Sequence, residues 1–432
     1  MDNTVNKVVK RFPHGVVNVP PSKSILHRVV ICNALAGGKM PLKPVSDDID
    51  ATVRCMRSLM AVASGERVIA KTDDEVADAL HRYALRLDCG ESGSTLRFLL
   101  PLALAMMSRL GEDAPSVTFT GHGRLLERPM TMFLDELTRH GAMVWQKPNG
   151  ITVAGTLQAG RYELAGNVSS QFVTGLLLAL PLLDGDSEIH LTTPLESAGY
   201  VDLTIEELAK SGVEIERDGD DFRIRGSQSY TARELDAERD FSQAAFFLVA
   251  AALGRDVRCA GLRLDSQQGD MRILELLQEA GFEIEVSSAL RVLPRKGQVV
   301  RRKLQVLPLE EVDVSDIPDL VPPLAALLCV ADGTSRLTNA GRLRMKESDR
   351  LEAVKTELNA IGADIEIDGD TLVIYGVSSL VGGTVNSRGD HRIAMMAAVA
   401  AIRADAPVTI VGAECVKKSY PDFWRDFEVR AL

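Results

Sequence analysis

Hydrophobic and polar positions along this chain recur on a scale of about 70 residues. Six helix-length stretches are apolar almost throughout: Ser24–Ala36, Thr95–Met107, Gln171–Leu183, Ser242–Leu253, Leu320–Val330 and His391–Arg403. Their starts lie 71, 76, 71, 78 and 71 residues apart, the mark of a sixfold internal repeat. A helix that is apolar all round belongs in a core, so each stretch predicts a buried helix. Pro181 and Pro322-Pro323 are expected to interrupt two of these runs. Each stretch opens on a short polar motif: Pro21-Ser-Lys-Ser24, Cys89-Gly-Glu-Ser-Gly-Ser94, Asn167-Val-Ser-Ser-Gln171, Arg239-Asp-Phe-Ser242, Asp316-Ile-Pro-Asp319 and Arg388-Gly-Asp-His391. Helix N-termini carry unsatisfied N–H groups and the positive end of the dipole. Six such ends aimed into one cleft would bind highly charged anions.

A second element recurs between the buried helices. Gly141, Gly212, Gly281 and Gly362 each follow a one-sided apolar stripe, such as Leu351, Val354, Leu358 and Ile361, and each precedes an alternating segment. That pattern predicts an amphipathic helix ended by a C-cap glycine, then a hairpin; Asp364–Ile374 is the clearest, around its Asp-Gly turn. The repeat unit is therefore β-α-β-α-β-β, with a degenerate first copy around Leu59–Ala70 and a sixth cut short by the end of the sequence. Six subdomains of this size make an α/β (α+β) fold of two lobes with three subdomains each. The expected lobes are residues 1–20 with 241–432, and residues 21–240. A first strand that completes the sixth copy would make the chain cross twice, near 20 and 240, through Val19–Pro21 and Leu235–Asp240. A double crossing of that kind is a hinge.

With 432 residues, 46% hydrophobic and 25% charged, the composition is that of a soluble protein with sizeable cores. The net charge of −11 argues against nucleic-acid binding, though not against small anions held by a local field. Six cysteines, several inside apolar stretches and none in a Cys-x-x-Cys pair, fit buried thiols in a reducing compartment. Met1–Gly15 lacks the apolar centre of a signal peptide, and no run convinces as a membrane span. A cytoplasmic protein is expected.

The candidate chemistry lies where charge conflicts with the helix dipole. A cation at a helix N-terminus is misplaced unless an anion binds there. Lys23 and Arg28 sit at the first buried helix, His391 and Arg392 at the sixth. Arg128, Lys346 and Arg350 flank amphipathic helices. Any one would be read as a solvated cation; recurrence at equivalent places argues for function. Ser92-Gly-Ser94 and Ser169-Ser-Gln171 read first as plain N-caps, with Gly93 also able to admit a ligand close to the backbone. Asp319 alone reads as an N-cap and Glu347 as a solvated acid. No metal-ligand spacing, P-loop or dinucleotide fingerprint occurs, so no metal and no cofactor is expected. Metal-free proton transfer between phosphate-bearing ligands is the candidate chemistry.

The repeated units, with Pro21-Ser-Lys-Ser24, Ser169-Ser-Gln171, Arg344-Met-Lys-Glu-Ser-Asp-Arg350 and Asp390-His-Arg392, resemble the 5-enolpyruvylshikimate 3-phosphate synthase family from Lys23 to Lys418. The resemblance implies two lobes of three subdomains closing over shikimate 3-phosphate and phosphoenolpyruvate. It implies transfer of the enolpyruvyl group to the 5-hydroxyl through a tetrahedral intermediate, without metal or cofactor. By motif, shikimate 3-phosphate contacts fall on Lys23, Ser24, Arg28, Ser169, Ser170, Gln171, Ser197, Tyr200, Asp319 and Lys346. Phosphoenolpyruvate contacts fall on Lys23, Gly93, Arg128, Gln171, Arg350, Arg392 and Lys418, with His391 bordering them. Lys23, Asp319 and Glu347 are the catalytic candidates: Glu347 protonates the methylene carbon, and Asp319 or Lys23 accepts the hydroxyl proton.

The sequence departs from the family at Glu91, where many relatives have Asn, at Ser197-Ala-Gly-Tyr200, which lacks a Pro, and at Arg342, where some have Asn. The related UDP-N-acetylglucosamine enolpyruvyl transferases carry a reactive Cys before their Arg-Pro, and Thr120–Pro129 has none. RNA 3′-phosphate cyclases share the subdomain but not these motifs. An anion-binding protein without catalysis has no need of Lys23, Asp319 and Glu347 together. The expected partners are the two small-molecule substrates alone, with no nucleic acid or membrane, and the expected state is a monomer.

Overall fold

The computed structural model describes residues 5–43, 45–65, 84–111, 114–296, 299–300 and 303–428, the side chains of 299, 300, 303 and 304 excepted. It divides into two compact units, Met1–Ser22 with Glu238–Leu432, and Lys23–Ala237. The chain passes between them twice, and beside both passages Pro21 and Arg239 form an antiparallel bridge. The bridge is held by Ser22 N–H to the Glu238 carbonyl (2.7 Å) and Asp240 N–H to the Pro20 carbonyl (3.0 Å).

The repeat is visible in the sheets. In the second copy the strands run Ala84–Asp88, Ser116–Thr120, Gly150–Gly155 and Ala142–Lys147, the first pair parallel and the rest antiparallel. The same order and polarity recur in Arg161–Ala165, Ser187–Thr193, Asp221–Ile224 and Ile215–Asp218. They recur again in Val312–Asp313, Thr334–Thr338, Thr371–Tyr375 and Asp364–Asp368. The fourth copy borrows its first strand: Gly15–Asn18 lies parallel to Val257–Ala260. In the sixth, Asn6–Val9 pairs antiparallel with Val408–Val411, which runs parallel to Gly383–Asn386. Sequence pattern indicated one N-terminal strand, in the sixth copy; the structure has two. Four-residue strands carry too little periodicity to be read locally. The degenerate first copy runs into residues 66–83, outside those described; its helices Lys23–Leu35 and Asp47–Ala63 are present.

All four predicted C-cap glycines have left-handed backbone, with φ of 93°, 80°, 99° and 99° at Gly141, Gly212, Gly281 and Gly362. At Gly212 and Gly362 the following N–H groups, of Val213 and Ala363, reach back to Leu208 and Leu358, the Schellman arrangement. Each glycine leads into its hairpin, and Asp368 pairs with Thr371 across a two-residue turn.

The six apolar stretches form buried helices at Lys23–Leu35, Gly93–Ser108, Ser170–Ala179, Phe241–Ala252, Val321–Leu328 and His391–Ala400. The last three pack on one another inside the core of their unit. Pro181 does end an α-helix at Ala179, in a 3₁₀ turn over Leu180–Leu182. Pro322 and Pro323 do not interrupt: they occupy the first turn of their helix, where no N–H donor is lost. Pro101 is more consequential. Inside Gly93–Ser108 it frees the Arg97 carbonyl, and Gly175 of Ser170–Ala179 packs there. A Cβ at Gly175 would lie 2.4 Å from the Arg97 oxygen and 3.1 Å from the Pro101 ring. The two helices meet closely because residue 175 has no side chain.

All six cysteines are buried and unbridged. Among the described residues no helix is long and apolar enough to cross a membrane. Gly175→Ala should overpack the helix pair and cost about 2–3 kcal/mol of stability. A lower urea midpoint at unchanged slope is the expected reading; an unchanged midpoint would show that the pair relaxes freely.

Candidate active site

The predicted residues gather into two sets, one in each unit. In the Lys23–Ala237 unit, Lys23 and Ser24 open the first buried helix, and Lys23 Nζ lies 2.7 Å from Asp48 Oδ2. The Asp48 carbonyl accepts from the Thr95 hydroxyl (3.3 Å), whose N–H donates to the Ser92 N-cap hydroxyl (3.1 Å). These bonds tie the openings of the first two copies together. Arg28 ties the first to the third. Its Nε donates to Thr204 (2.8 Å), Nη2 to the Tyr200 carbonyl (2.7 Å) and to Thr174 (3.3 Å), and Nη1 to the Ser24 carbonyl. Burial pushes the Arg28 guanidinium down to about 10, still protonated at neutral pH. His27 beside it is held well below its ordinary value by burial and by Lys23 and Arg28, so it stays neutral.

Gly93, Arg128 and Gln171 converge. A Cβ on Gly93 would lie 2.6 Å from Arg128 Nη1 and 3.5 Å from Gln171 Oε1. Gln171 Oε1 accepts from Arg97 Nη1 (2.8 Å), and its amide nitrogen donates to Ser94 (3.0 Å). The bland reading of the serines is correct as far as it goes. Ser92 and Ser169 both cap helices, Ser169 accepting from Gln171 N–H at 3.3 Å. Ser170 follows, buried in the first turn. Ser197 is buried with φ of 56°, a left-handed conformation that a non-glycine residue adopts only under tertiary constraint. Glu91 lies against Gly123, whose Cβ would meet the Glu91 carboxylate at 2.6 Å, in the loop leading to Arg128.

The other unit is organised by Arg350, which is 1% exposed. Its Nε donates to Asp390 Oδ2 (2.9 Å), Nη1 to Asp319 Oδ1 (2.8 Å), and Nη2 to Glu347 Oε2 (2.6 Å) and Asp390 Oδ1 (3.3 Å). Asp319 also binds Arg392 Nη2 (2.9 Å), with Lys346 Nζ 3.9 Å away. It is not an N-cap: it lies in the 3₁₀ turn Pro318–Leu320 and turns its carboxylate to the cations. Burial opposes its charge, but Arg392, Lys346 and Arg350 outweigh burial and hold its carboxyl well below the usual range. Those carboxylates in turn outweigh the burial of Arg350 and raise its guanidinium above its ordinary value. Lys346 goes the other way, pushed down to about 8 chiefly by burial. Asp390 caps the sixth buried helix, accepting from Arg392 N–H (2.9 Å), and takes a bond from Ser348 (3.0 Å). His391 is buried beside it. Lys418 Nζ reaches the Gly389 carbonyl (2.6 Å) in the same turn.

Asp48, Arg97 and Asp390 belong to these sets and are absent from the predicted residues. Arg97 had a signal, being a cation inside an otherwise apolar stretch. Asp390 resembles any N-cap, and Asp48 any first-turn acid. Among the described residues no group of His, Cys, Asp and Glu is arranged to hold a metal ion. Arg350→Lys retains one charge but cannot bridge three carboxylates. It should cost at least about 3 kcal/mol, read as a lower urea midpoint; wild-type stability would mean that the carboxylates find other partners.

Residues 11–427 match the family described as EPSP synthase (3-phosphoshikimate 1-carboxyvinyltransferase). A 3-phosphoshikimate 1-carboxyvinyltransferase of Clostridium kluyveri is 45% identical over 423 residues, 96% of this chain and 94% of that protein. One of Clostridioides difficile is 41% identical over 429 residues, covering 96% and 94%. Among solved structures, EPSP synthase from Acinetobacter baumannii superimposes with a TM-score of 0.70 at 24% identity, over 98% of both chains. The enolpyruvyl transferase NikO from Streptomyces tendae gives 0.69 at 17% identity, over 98% and 96%, a likeness of fold. With its repeated subdomains and both residue sets in place, the chain belongs to the EPSP synthase family.

Proposed function

We propose that the two residue sets divide one reaction between them. The chain transfers the enolpyruvyl group of phosphoenolpyruvate to shikimate 3-phosphate and releases phosphate, a step of the shikimate pathway. Ser24, Ser169, Ser170, Gln171, Ser197 and Tyr200 hold shikimate 3-phosphate, with Lys23, Arg28 and Lys346 matching its charge and Asp319 its hydroxyl. Gly93, Arg128 and Gln171, with Lys23, Arg350, Arg392 and Lys418, hold phosphoenolpyruvate, bordered by His391. The enzyme works as a monomer in the cytoplasm.

The observation that carries this reading is the single guanidinium shared by Asp319 and Glu347. Addition across the double bond needs a proton delivered to the methylene carbon and another removed from the 5-hydroxyl. Glu347 delivers the first; Asp319 or Lys23 accepts the second. The hydroxyl oxygen bonds to the central carbon, giving a tetrahedral ketal phosphate. Loss of phosphate and return of one methyl proton restore the double bond. Asp319 is a weak base while three cations hold it. Substrate anions that draw on Lys346, Arg350 and Arg392 raise its proton affinity as the complex forms.

Phosphate release should require both substrates. Glu347→Gln should lower kcat by roughly two or more orders of magnitude; near-normal turnover would remove Glu347 from the chemistry. Lys346 loses its charge as pH rises through about 8. KM for shikimate 3-phosphate should therefore climb above that pH in the wild type and stay flatter in Lys346→Arg, whose guanidinium does not titrate there. Parallel profiles would detach Lys346 from the sugar phosphate.

A further inference from the structure

Buried glutamates recur at one place in the repeat, five residues before a C-cap glycine: Glu136 before Gly141, Glu207 before Gly212 and Glu357 before Gly362. They are 2%, 2% and 5% exposed, although an amphipathic helix ordinarily turns its acids to solvent. Leu276 holds the same place in the fourth copy. Glu136 reaches forward to the next copy, its Oε1 accepting from Glu163 N–H (2.8 Å) in Arg161–Ala165, the first strand of the third. Glu357 does the same. Its Oε2 accepts from Asn386 N–H (2.7 Å) at the end of Gly383–Asn386, the first strand of the sixth. The fourth copy takes its first strand from the N-terminal segment, and Glu207 pairs with the Arg233 side chain instead. A buried carboxylate that accepts a main-chain N–H fixes the strand it holds.

Glu357 also holds the turn that follows its strand, Oε1 accepting from Arg388 Nε (2.8 Å). Arg388 has φ of 53°, left-handed backbone that strains a non-glycine residue and persists only where its neighbours enforce it. Asn386 Oδ1 accepts from Arg388 N–H (2.8 Å). Ser387 Oγ accepts from Gly389 N–H (3.2 Å) and donates to the Gly412 carbonyl (2.9 Å). The turn so formed ends in Asp390, which caps the helix of Arg392 and binds Arg350. Its Gly389 carbonyl is the acceptor for Lys418 Nζ. Arg350 and Glu357 both belong to the helix Arg350–Asn359. One helix therefore grips the turn from two positions about 10 Å apart along its axis.

We propose that Glu357 is a positioning residue for phosphoenolpyruvate: it holds Asn386–Gly389 in the backbone shape that sets Arg392 and Lys418 for the substrate. It acts through the turn and needs no contact with substrate. Arg388 is the handle by which the carboxylate keeps a strained residue in place. The proposal rests on Arg392 and Lys418 binding phosphoenolpyruvate, and the experiment separates the two.

KM for each substrate, kcat and the urea midpoint are measured for the wild type, Glu357→Gln, Arg388→Ala, Arg388→Gly, Glu207→Gln and Arg392→Ala. Alanine and glycine in place of Arg388 both remove the bond to Glu357, but glycine takes left-handed backbone without strain. Arg388→Ala should therefore raise KM for phosphoenolpyruvate roughly tenfold, and Arg388→Gly by less than about twofold. Glu357→Gln loses the charge that holds Arg388 and should raise it at least as far as Arg388→Ala. KM for shikimate 3-phosphate should stay within about twofold of the wild type in all three. Glu207→Gln should lower the urea midpoint and leave KM for phosphoenolpyruvate level, as loss of a glutamate that only stabilises the fold would. If Glu357→Gln and Arg388→Ala behave in that way too, the proposal is overturned. Equal KM values for Arg388→Ala and Arg388→Gly would trace any effect to lost charge and overturn it as well. Arg388 is exposed, so that comparison decides the matter even if Glu357→Gln does not fold. If Arg392→Ala raises KM while the other variants stay level, only the role of Glu357 falls. If Arg392→Ala leaves KM unchanged, the assignment of Arg392 falls and the proposal with it.

Discussion

One guanidinium holds together the charged cluster of the unit formed by residues 1–22 and 238–432. Arg350 is almost wholly removed from water and gives hydrogen bonds to Asp319, Glu347 and Asp390, which stand on separate parts of the chain. Desolvating so many charges is tolerable only because each has an opposite partner at bonding distance. Lys346 and Arg392 complete the set, so three cations balance three carboxylates. An arrangement so nearly neutral keeps Asp319 and Asp390 ionised and the cations oriented before any substrate arrives. In the proposed reaction it also couples binding to basicity. A substrate phosphate or carboxylate that takes a share of Arg392 or Lys346 takes it from Asp319, and the proton affinity of Asp319 rises in response.

The other unit uses shape where this one uses charge. Pro101 leaves the Arg97 carbonyl without its helical donor, and Gly175 lets the neighbouring helix approach that spot. Gln171 lies one turn from Gly175, and Arg97 reaches it from the facing helix at 2.8 Å. The convergence of Gly93, Arg128 and Gln171 thus depends on a missing methyl group several residues away. Side-chain chemistry at the site is only as well placed as the helix contact beneath it.

What could be read from the sequence follows from which features are local. The repeat, the buried helices and the glycine stops are written in short windows; the helices and glycine stops appear in the structure, and the repeated sheet appears in the five copies whose strands are described. Cations at helix starts were conspicuous because their charge conflicts with the dipole. Asp48, Asp390 and Asp270 were not conspicuous, because an acid near a helix start conflicts with nothing. Their importance comes from partners 25 to 42 residues away, Lys23 for Asp48, Ser348 and Arg350 for Asp390, and Ser242 for Asp270. The start of the fourth helix is of this kind: Asp240 and Ser242 are conspicuous in the sequence, but Asp270, to which the Ser242 hydroxyl donates, is not. Asp319 shows the opposite error, since the bland N-cap reading dissolved once its turn placed it between two arginines.

The two N-terminal strands have a consequence for how the protein is made. Asn6–Val9 pairs with Val408–Val411, and Gly15–Asn18 with Val257–Ala260. During synthesis at about 5–20 residues per second, the first strand waits roughly 20–80 s for its partner. The unit Lys23–Ala237, continuous in sequence, is complete long before that. These two strands therefore emerge well before the partners that bury them, and until then the Val9, Val17 and Val19 side chains are exposed to other chains. Its brevity and its basic residues Lys7, Lys10 and Arg11 serve a second purpose in that interval: they keep an unpaired edge soluble while the rest of its sheet is still being translated.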